Sequence, residues 1–495
     1  MNFKRSSGIL LHPTSLPSPY GIGTLGKEAY AFVDFLKNSS QKLWQTFPLG
    51  PTGYGDSPYQ CFSAFAGNPL LIDMDILIEN ELLSKQDIAP PDFQNDKIDY
   101  GRLINFKLPL LKKSYENFCN NKNHSEKNNF DIFNNKNNFW LHDYALYRAI
   151  KDTFDGKSWL FWDKNIKFRE KSTLAKYENE LNFEINFHKY MQFQFFKQWL
   201  ALKKYANENN IKIIGDIPIF VSLDSSDAWA NPELFLFDKD RNPVKVAGVP
   251  PDYFSVTGQL WGNPLYDWAY LEKTNFEWWI KRIQMNFEIS DFVRIDHFRG
   301  FEAYWAVPSD EETAINGEWI KCPGKKMFEE IEKKLGKTAI IAEDLGIITP
   351  EVDDLRDSFN FPGMKILQFA FNPNEDNPYL PHNHIKNCVI YTGTHDNNTT
   401  LGWYQNLSIE EKNFIKNYLK LDSEKNISWD LIQCAWSSVA AFAICPLQDI
   451  LSLDNSGRIN TPGVASDNWQ WRFKNDDLTN ELSEKLSKLT KLYFR

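Results

Sequence analysis

The chain has 495 residues, 42% hydrophobic and 24% charged, with a net charge of −10. That is enough apolar material for a large core, and an acidic balance supplies no basic stripe to neutralise phosphates, so nucleic acid is excluded as a partner. The six cysteines lack paired metal-ligand spacing and read as free thiols in a reducing cytosol. The apolar runs at 8–11 and 439–445 are too short for a signal peptide core or a membrane span, so a cytoplasmic place with no membrane partner is expected.

Short β-prone runs ending in Gly, Pro or Asp recur along the chain. They predict strands near 6–11, 42–50, 212–220, 291–296, 338–344, 364–369, 388–396 and 443–449, with helices such as Lys27–Lys37, Lys326–Leu335 and Ile409–Leu419 between them. Parallel strands alternating with helices imply an α/β fold, a (β/α)8 TIM barrel. The stretches from 50 to 212 and from 220 to 291 are too long for plain connections, which predicts helical insertions at approximately 70–200 and 225–275. The Asn-rich segment 120–138 reads as a flexible surface loop. The segment after the eighth strand has room for a closing helix and no C-terminal β-domain. Residues 1–495 are then one catalytic domain.

Active sites of such barrels lie at the C-terminal strand ends, where this reading puts Asp216, Asp296, Glu343 and Asp396. Glu343 comes after Asp296 by one strand–helix unit with a long loop, and Asp396 after Glu343 by two. One such carboxylate is unremarkable; four in register are not. Neighbouring strands are about 4.8 Å apart, so carboxyl groups at the ends of strands four and five can approach the roughly 5–5.5 Å separation of retaining glycosidic chemistry. That chemistry needs an ionised nucleophile, and Arg294, two residues before Asp296 on the same strand face, can hold it so. It also needs a proton donor, and burial beside two other carboxylates would raise the pKa of Glu343. Asp396 can hold a sugar hydroxyl, while His395 and His297 are neutral donors suited to hydroxyl groups. The surplus of Trp and Tyr suits a cleft that stacks sugar faces, although core filling accounts for most of the 17 Trp.

The chain resembles the amylomaltases, 4-α-glucanotransferases of the α-amylase clan, nearly end to end. The resemblance rests on GILLHPTSLPSPYGIGTLG (8–26), LGPTGYGDSPYQCFSAFAGNP (49–69), IIGDIPIFVSLDSSDAWA (213–230) and GVPPDYFSVTGQLWGNPLYDW (248–268). It continues through VRIDHFRGFEAYWAVP (293–308), AEDLGIITPEV (342–352), GTHDNNTTLGWY (393–404), PLQDIL (446–451) and RINTPGVASDNWQWR (458–472). It implies Asp296 as nucleophile, Glu343 as acid/base and Asp396 as transition-state stabiliser, with Arg294 and His395 beside them. It also implies subsite roles for Tyr59, Asp252, Gln259 and Trp261. For Tyr54, Ser57, Asp216 and Asn468 a turn or a structural hydrogen bond is the alternative to ligand contact. Asp163 stands where the family usually has Pro, Cys322 where Gly is expected, and 224–229 varies the usual small residues.

The expected activity is transfer of α-1,4-glucan segments from maltooligosaccharides or amylose to glucose or a maltodextrin, without metal or cofactor. Transfer has to outrun hydrolysis, and the 248–262 stretch is the candidate water-excluding loop. An α-amylase-type hydrolase would use the same three carboxylates. A non-catalytic glucan-binding relic would be expected to have lost at least one of them. A metal-dependent barrel would need more histidines than the eight present.

Overall fold

Ser6–Leu10 is buried at every position, as a strand covered on both faces must be. It opens a computed structural model that describes residues 3–121, 124–251, 255–464 and 466–495. The strands in chain order are β1 (Ser6–Leu10), β2 (Leu43–Gln45), β3 (Lys212–Pro218), β4 (Lys245–Val249), β5 (Gln259–Pro264), β6 (Phe292–Asp296), β7 (Ala303–Pro308), β8 (Glu318–Lys321), β9 (Ile340–Ala342), β10 (Gly363–Ile366), β11 (Cys388–Tyr391) and β12 (Phe442–Pro446). Eight of them form one parallel sheet in the order β10-β11-β12-β1-β2-β3-β6-β9. These are the eight predicted strands, and they make the (β/α)8 barrel.

Between β9 and β10 the ladder is replaced by two other bonds. The Ala342 N–H donates to the Pro362 carbonyl (2.9 Å), and the Met364 N–H donates to the Asp344 carboxylate (2.6 Å). Gly363 makes room for that carboxylate, because a Cβ there would lie 2.2 Å from Asp344 Oδ2. The barrel interior is filled by Leu10, Leu43, Ile214, Ile341, Met364, Val389, Tyr391 and Ile444. Neighbours one residue along, such as Ile213, Val293 and Ile295, point outward into the helix layer. This two-residue alternation sends Asp216, Arg294 and Asp296 inward.

The first insertion is helical, as predicted. Its longest members, Lys127–Thr153 and Asn182–Glu208, pack on each other. Most of the 120–138 segment is helix and not a loop. Phe130 and Phe133, three residues apart, meet Phe118, Phe193 and Phe196, which gives an otherwise polar stretch an apolar edge to bury. The 225–275 segment is not purely helical either. Beside the short helices Ser226–Ala230 and Trp268–Lys273 it supplies β4 and β5, which join β7 and β8 in an antiparallel sheet ordered β5-β4-β7-β8. After β12 the described residues form helical and loop segments, including the helix Asn480–Leu492. No helix among them is long and apolar enough to cross a membrane.

Candidate active site

The site is built outward from β3 and β6. Register places Asp216 opposite Arg294 and Pro218 opposite Asp296. With its side chain inward and 4% exposed, Arg294 donates through Nη1 to both Asp216 oxygens (2.8 and 2.7 Å) and through Nη2 to Asp296 Oδ1 (2.7 Å). Burial opposes a charge there, but Asp216 and Asp296 outweigh it and hold the guanidinium pKa well above its usual value. Asp296 is the last residue of β6, with a side chain 29% exposed. It therefore faces the cleft with one oxygen fixed by a permanent cation.

Glu343 is the first residue beyond β9, next to the register pair Ile295–Ala342. It is 9% exposed, and its partners are two backbone N–H groups: His297 to Oε2 (2.6 Å) and Leu345 to Oε1 (2.9 Å). His297 comes directly after Asp296 and has a left-handed backbone (φ 54°, ψ 49°). That turn aims its N–H at the carboxyl of the neighbouring strand. Burial and the charge of Asp296 raise Glu343 to about 8, against the pull of Arg294 and the two N–H donors. The His297 ring is pushed down to about 3 by burial, is therefore neutral at neutral pH, and meets Trp261 edge-on at 4.8 Å. Behind the loop after Glu343, Arg299 stacks on Trp319 (3.8 Å) and donates to the Ile347 carbonyl.

Asp396 lies in the loop five residues after the end of β11, not at the strand terminus as expected. Its side chain is half open, and polar groups surround it. His395 Nε2 lies 3.2 Å from Oδ2, Asn460 Nδ2 donates to Oδ1 (2.6 Å), and Arg458 donates to its main-chain carbonyl (3.0 Å). Desolvation of the carboxyl works against ionisation, but His395, Asn460 and Arg294 prevail and hold it down to about 2. The His395 ring stacks on Tyr59 (4.8 Å, 21°) and touches Phe47 and Trp469. The Tyr59 hydroxyl donates to Asp216 Oδ2 (2.7 Å) and lies 3.3 Å from His395 Nδ1. One chain of contacts thus runs from Asp296 through Arg294, Asp216, Tyr59 and His395 to Asp396.

Gln259 and Trp261 share a face of β5, with Trp261 Nε1 donating to Gln259 Oε1 (3.2 Å). The 248–262 stretch begins in β4 and ends in β5, which pair antiparallel. Asp252, expected at a subsite, lies outside the described residues together with 253 and 254, as does the side chain of Tyr54. Ser57 Oγ accepts from the Tyr59 N–H (3.2 Å), bracing the turn that presents Tyr59. Asn468 bonds Thr461 and Val464 within its own loop. Cys322 packs its sulfur on the Gly300 and Phe301 carbonyls, beneath the turn after Asp296. Asn460, Arg458, Phe47 and Trp469 were not singled out from sequence. The cluster of turn residues and tryptophans at 458–472 was the available signal, and Trp469 has a left-handed φ of 63°.

Fold and site together define a carbohydrate-active barrel enzyme of the glycosyl-transferring class. The chain belongs to the 4-alpha-glucanotransferase family, whose model matches residues 11–479. It is 52% identical to the 4-alpha-glucanotransferase of Clostridium butyricum over 98% of this chain and 100% of that one. Identity is also 52% to the Synechocystis sp. 4-alpha-glucanotransferase, over 99% and 98% of the two chains. Among solved structures, an amylomaltase from Streptococcus agalactiae in complex with acarbose superposes with a TM-score of 0.97 at 42% identity, covering 99% of this chain and 100% of that one. An amylomaltase from Corynebacterium glutamicum, 18% identical, shares the fold (TM-score 0.81; 98% and 75% covered). Membership sets aside the hydrolase alternative.

Proposed function

We propose that this enzyme moves α-1,4-glucan segments between maltooligosaccharides by double displacement at Asp296. The carboxylate attacks the anomeric carbon of the donor while Glu343 gives its proton to the departing oxygen, leaving a covalent β-glucosyl–enzyme. Glu343, now ionised, takes the proton of an acceptor's 4-OH, which displaces Asp296 and restores the α-1,4 bond. Asp396 accepts hydrogen bonds from ring hydroxyls as the sugar flattens, and Arg294 holds one oxygen of Asp296 in place. Tyr59, His395 and Trp261 face the sugar, and the 248–262 stretch helps exclude water in favour of an acceptor sugar. Donors are α-1,4-glucans and acceptors are glucose or maltodextrins. The six unpaired cysteines fit a reducing cytoplasm.

The observation that carries this reading is the pairing of Glu343, raised to about 8, with an Arg-bound Asp296 on the adjoining strand. The test is incubation with maltotriose alone, with products followed by chromatography. Glucose together with a ladder of longer maltodextrins is expected. Maltose and glucose without longer products would overturn transfer, and an unchanged substrate would overturn the assignment to short maltodextrins.

A further inference from the structure

Asp449 is 1% exposed and has no ion pair among the described residues, yet it receives three hydrogen bonds. The Thr392 hydroxyl donates to Oδ2 (2.5 Å), the Thr400 hydroxyl to Oδ2 (2.7 Å) and the Thr400 N–H to Oδ1 (2.7 Å). Thr392 is the first residue after β11, and Thr400 opens the helix Thr400–Gln405. Both are fully buried. They are the two ends of the loop that carries His395 and Asp396. Asp449 lies just past β12, the strand paired with β11.

From this arrangement we infer that Asp449 is the positioning residue for Asp396, a clamp that fixes both ends of the catalytic loop through one buried carboxylate. The proposal rests on the role given to Asp396 above. With both feet pinned, the loop has only its middle free, and there Asn397 Oδ1 accepts from Thr394 N–H and hydroxyl (both 2.9 Å) to complete the turn. Asn460 and Arg458 then meet an Asp396 that is already in place. A loop loosened at either end would let Asp396 occupy many positions, of which few contact the ring hydroxyls as they move. The loss would fall on the transition state more than on ground-state binding.

Removing a buried carboxylate outright endangers the fold, so the test alters its donors. Thr→Val keeps the shape and deletes the hydroxyl, whereas Thr→Ser keeps the hydroxyl and deletes a methyl. With maltotriose as substrate, Thr392→Val and Thr400→Val are each expected to lower kcat per active site about tenfold with KM changed less than about twofold, while both serine variants stay within about threefold of wild type. Asp396→Ala, assayed alongside, is expected to lose about a thousandfold or more. Valine variants with wild-type kcat, or serine variants as impaired as the valine ones, would overturn the clamp. If Asp396→Ala is inactive while the valine variants are normal, the clamp alone falls; if Asp396→Ala is fully active, the role of Asp396 falls and the clamp with it.

Discussion

Glu343 and Asp396 carry the same functional group on the same rim and titrate at opposite ends of the scale. Glu343 is enclosed, sees another carboxylate, and has only main-chain N–H partners, so it keeps its proton to about 8. Asp396 has an imidazole and an amide against it, which with Arg294 outweigh desolvation, so it gives its proton up at about 2. The difference comes from neighbours and not from the strand-end position that both nearly share. A barrel rim offers equivalent places, and the side chains brought to each place decide whether it holds an acid or an anion.

The largest break in this contrast is Glu343→Gln, which keeps shape but cannot exchange a proton. Turnover on maltotriose should fall by about three orders of magnitude, with glucan binding retained in a calorimetric titration. Near-normal turnover would move the acid/base role elsewhere. Next comes pH. Glu343 acts as donor only when protonated, and its proton leaves as pH rises through about 8, so kcat/KM should fall on the alkaline side, by roughly tenfold per unit well above that value. An alkaline limb that is unchanged in a variant lacking Glu343 would show that another group titrates there. On the Asp396 side, Asn460→Ala removes a donor to the anion and should lower kcat by about tenfold. Unchanged kcat would mean that His395 suffices.

The smallest effect is on stability, and its sign differs between the two groups. The folded protein keeps the Glu343 proton that the unfolded chain releases above about 4.5, so this group's contribution to stability is full below that pH and is lost as pH rises to about 8. The Tm of Glu343→Gln relative to wild type should therefore climb across that window, by roughly 1–3 °C. Asp396 is the reverse: its contribution is present above about 3.8 and lost as pH falls towards 2. Between pH 4 and 8 the Tm of Asp396→Asn relative to wild type should therefore stay level while that of Glu343→Gln climbs, and parallel curves would contradict the contrast.

All eight barrel strands were legible because parallel strands buried on both faces read as unbroken apolar runs stopped by Gly, Pro or Asp, as in β1, β3 and β12. The antiparallel sheet was not. β5 contains Gly262 and ends at Pro264, β8 is mostly exposed, and the two antiparallel pairs are joined through β4 and β7, which pair across a long stretch of chain that no local period reveals. The helix from Lys127 was hidden by its asparagines, since only two phenylalanines in its first turns betray the buried edge. In the site, Asp216, Asp296, Glu343 and Arg294 could be read from their strand positions, whereas Asp396 sits in the loop five residues past β11. Asn460 could not, because it reaches Asp396 from a loop beyond the last strand and depends on the closed ring to bring the two together.

The bond between His297 and Glu343 has a consequence for how such an enzyme can change over generations. The peptide just after Asp296 holds the Glu343 carboxyl through a main-chain N–H, which every residue but proline possesses. Substitutions can therefore redraw the walls of the cleft, alter the length of glucan it prefers or loosen its grip on acceptors. The link that relates the Asp296 and Glu343 carboxyls, and with it the retention of configuration proposed above, is written in the backbone and passes through such side-chain drift intact.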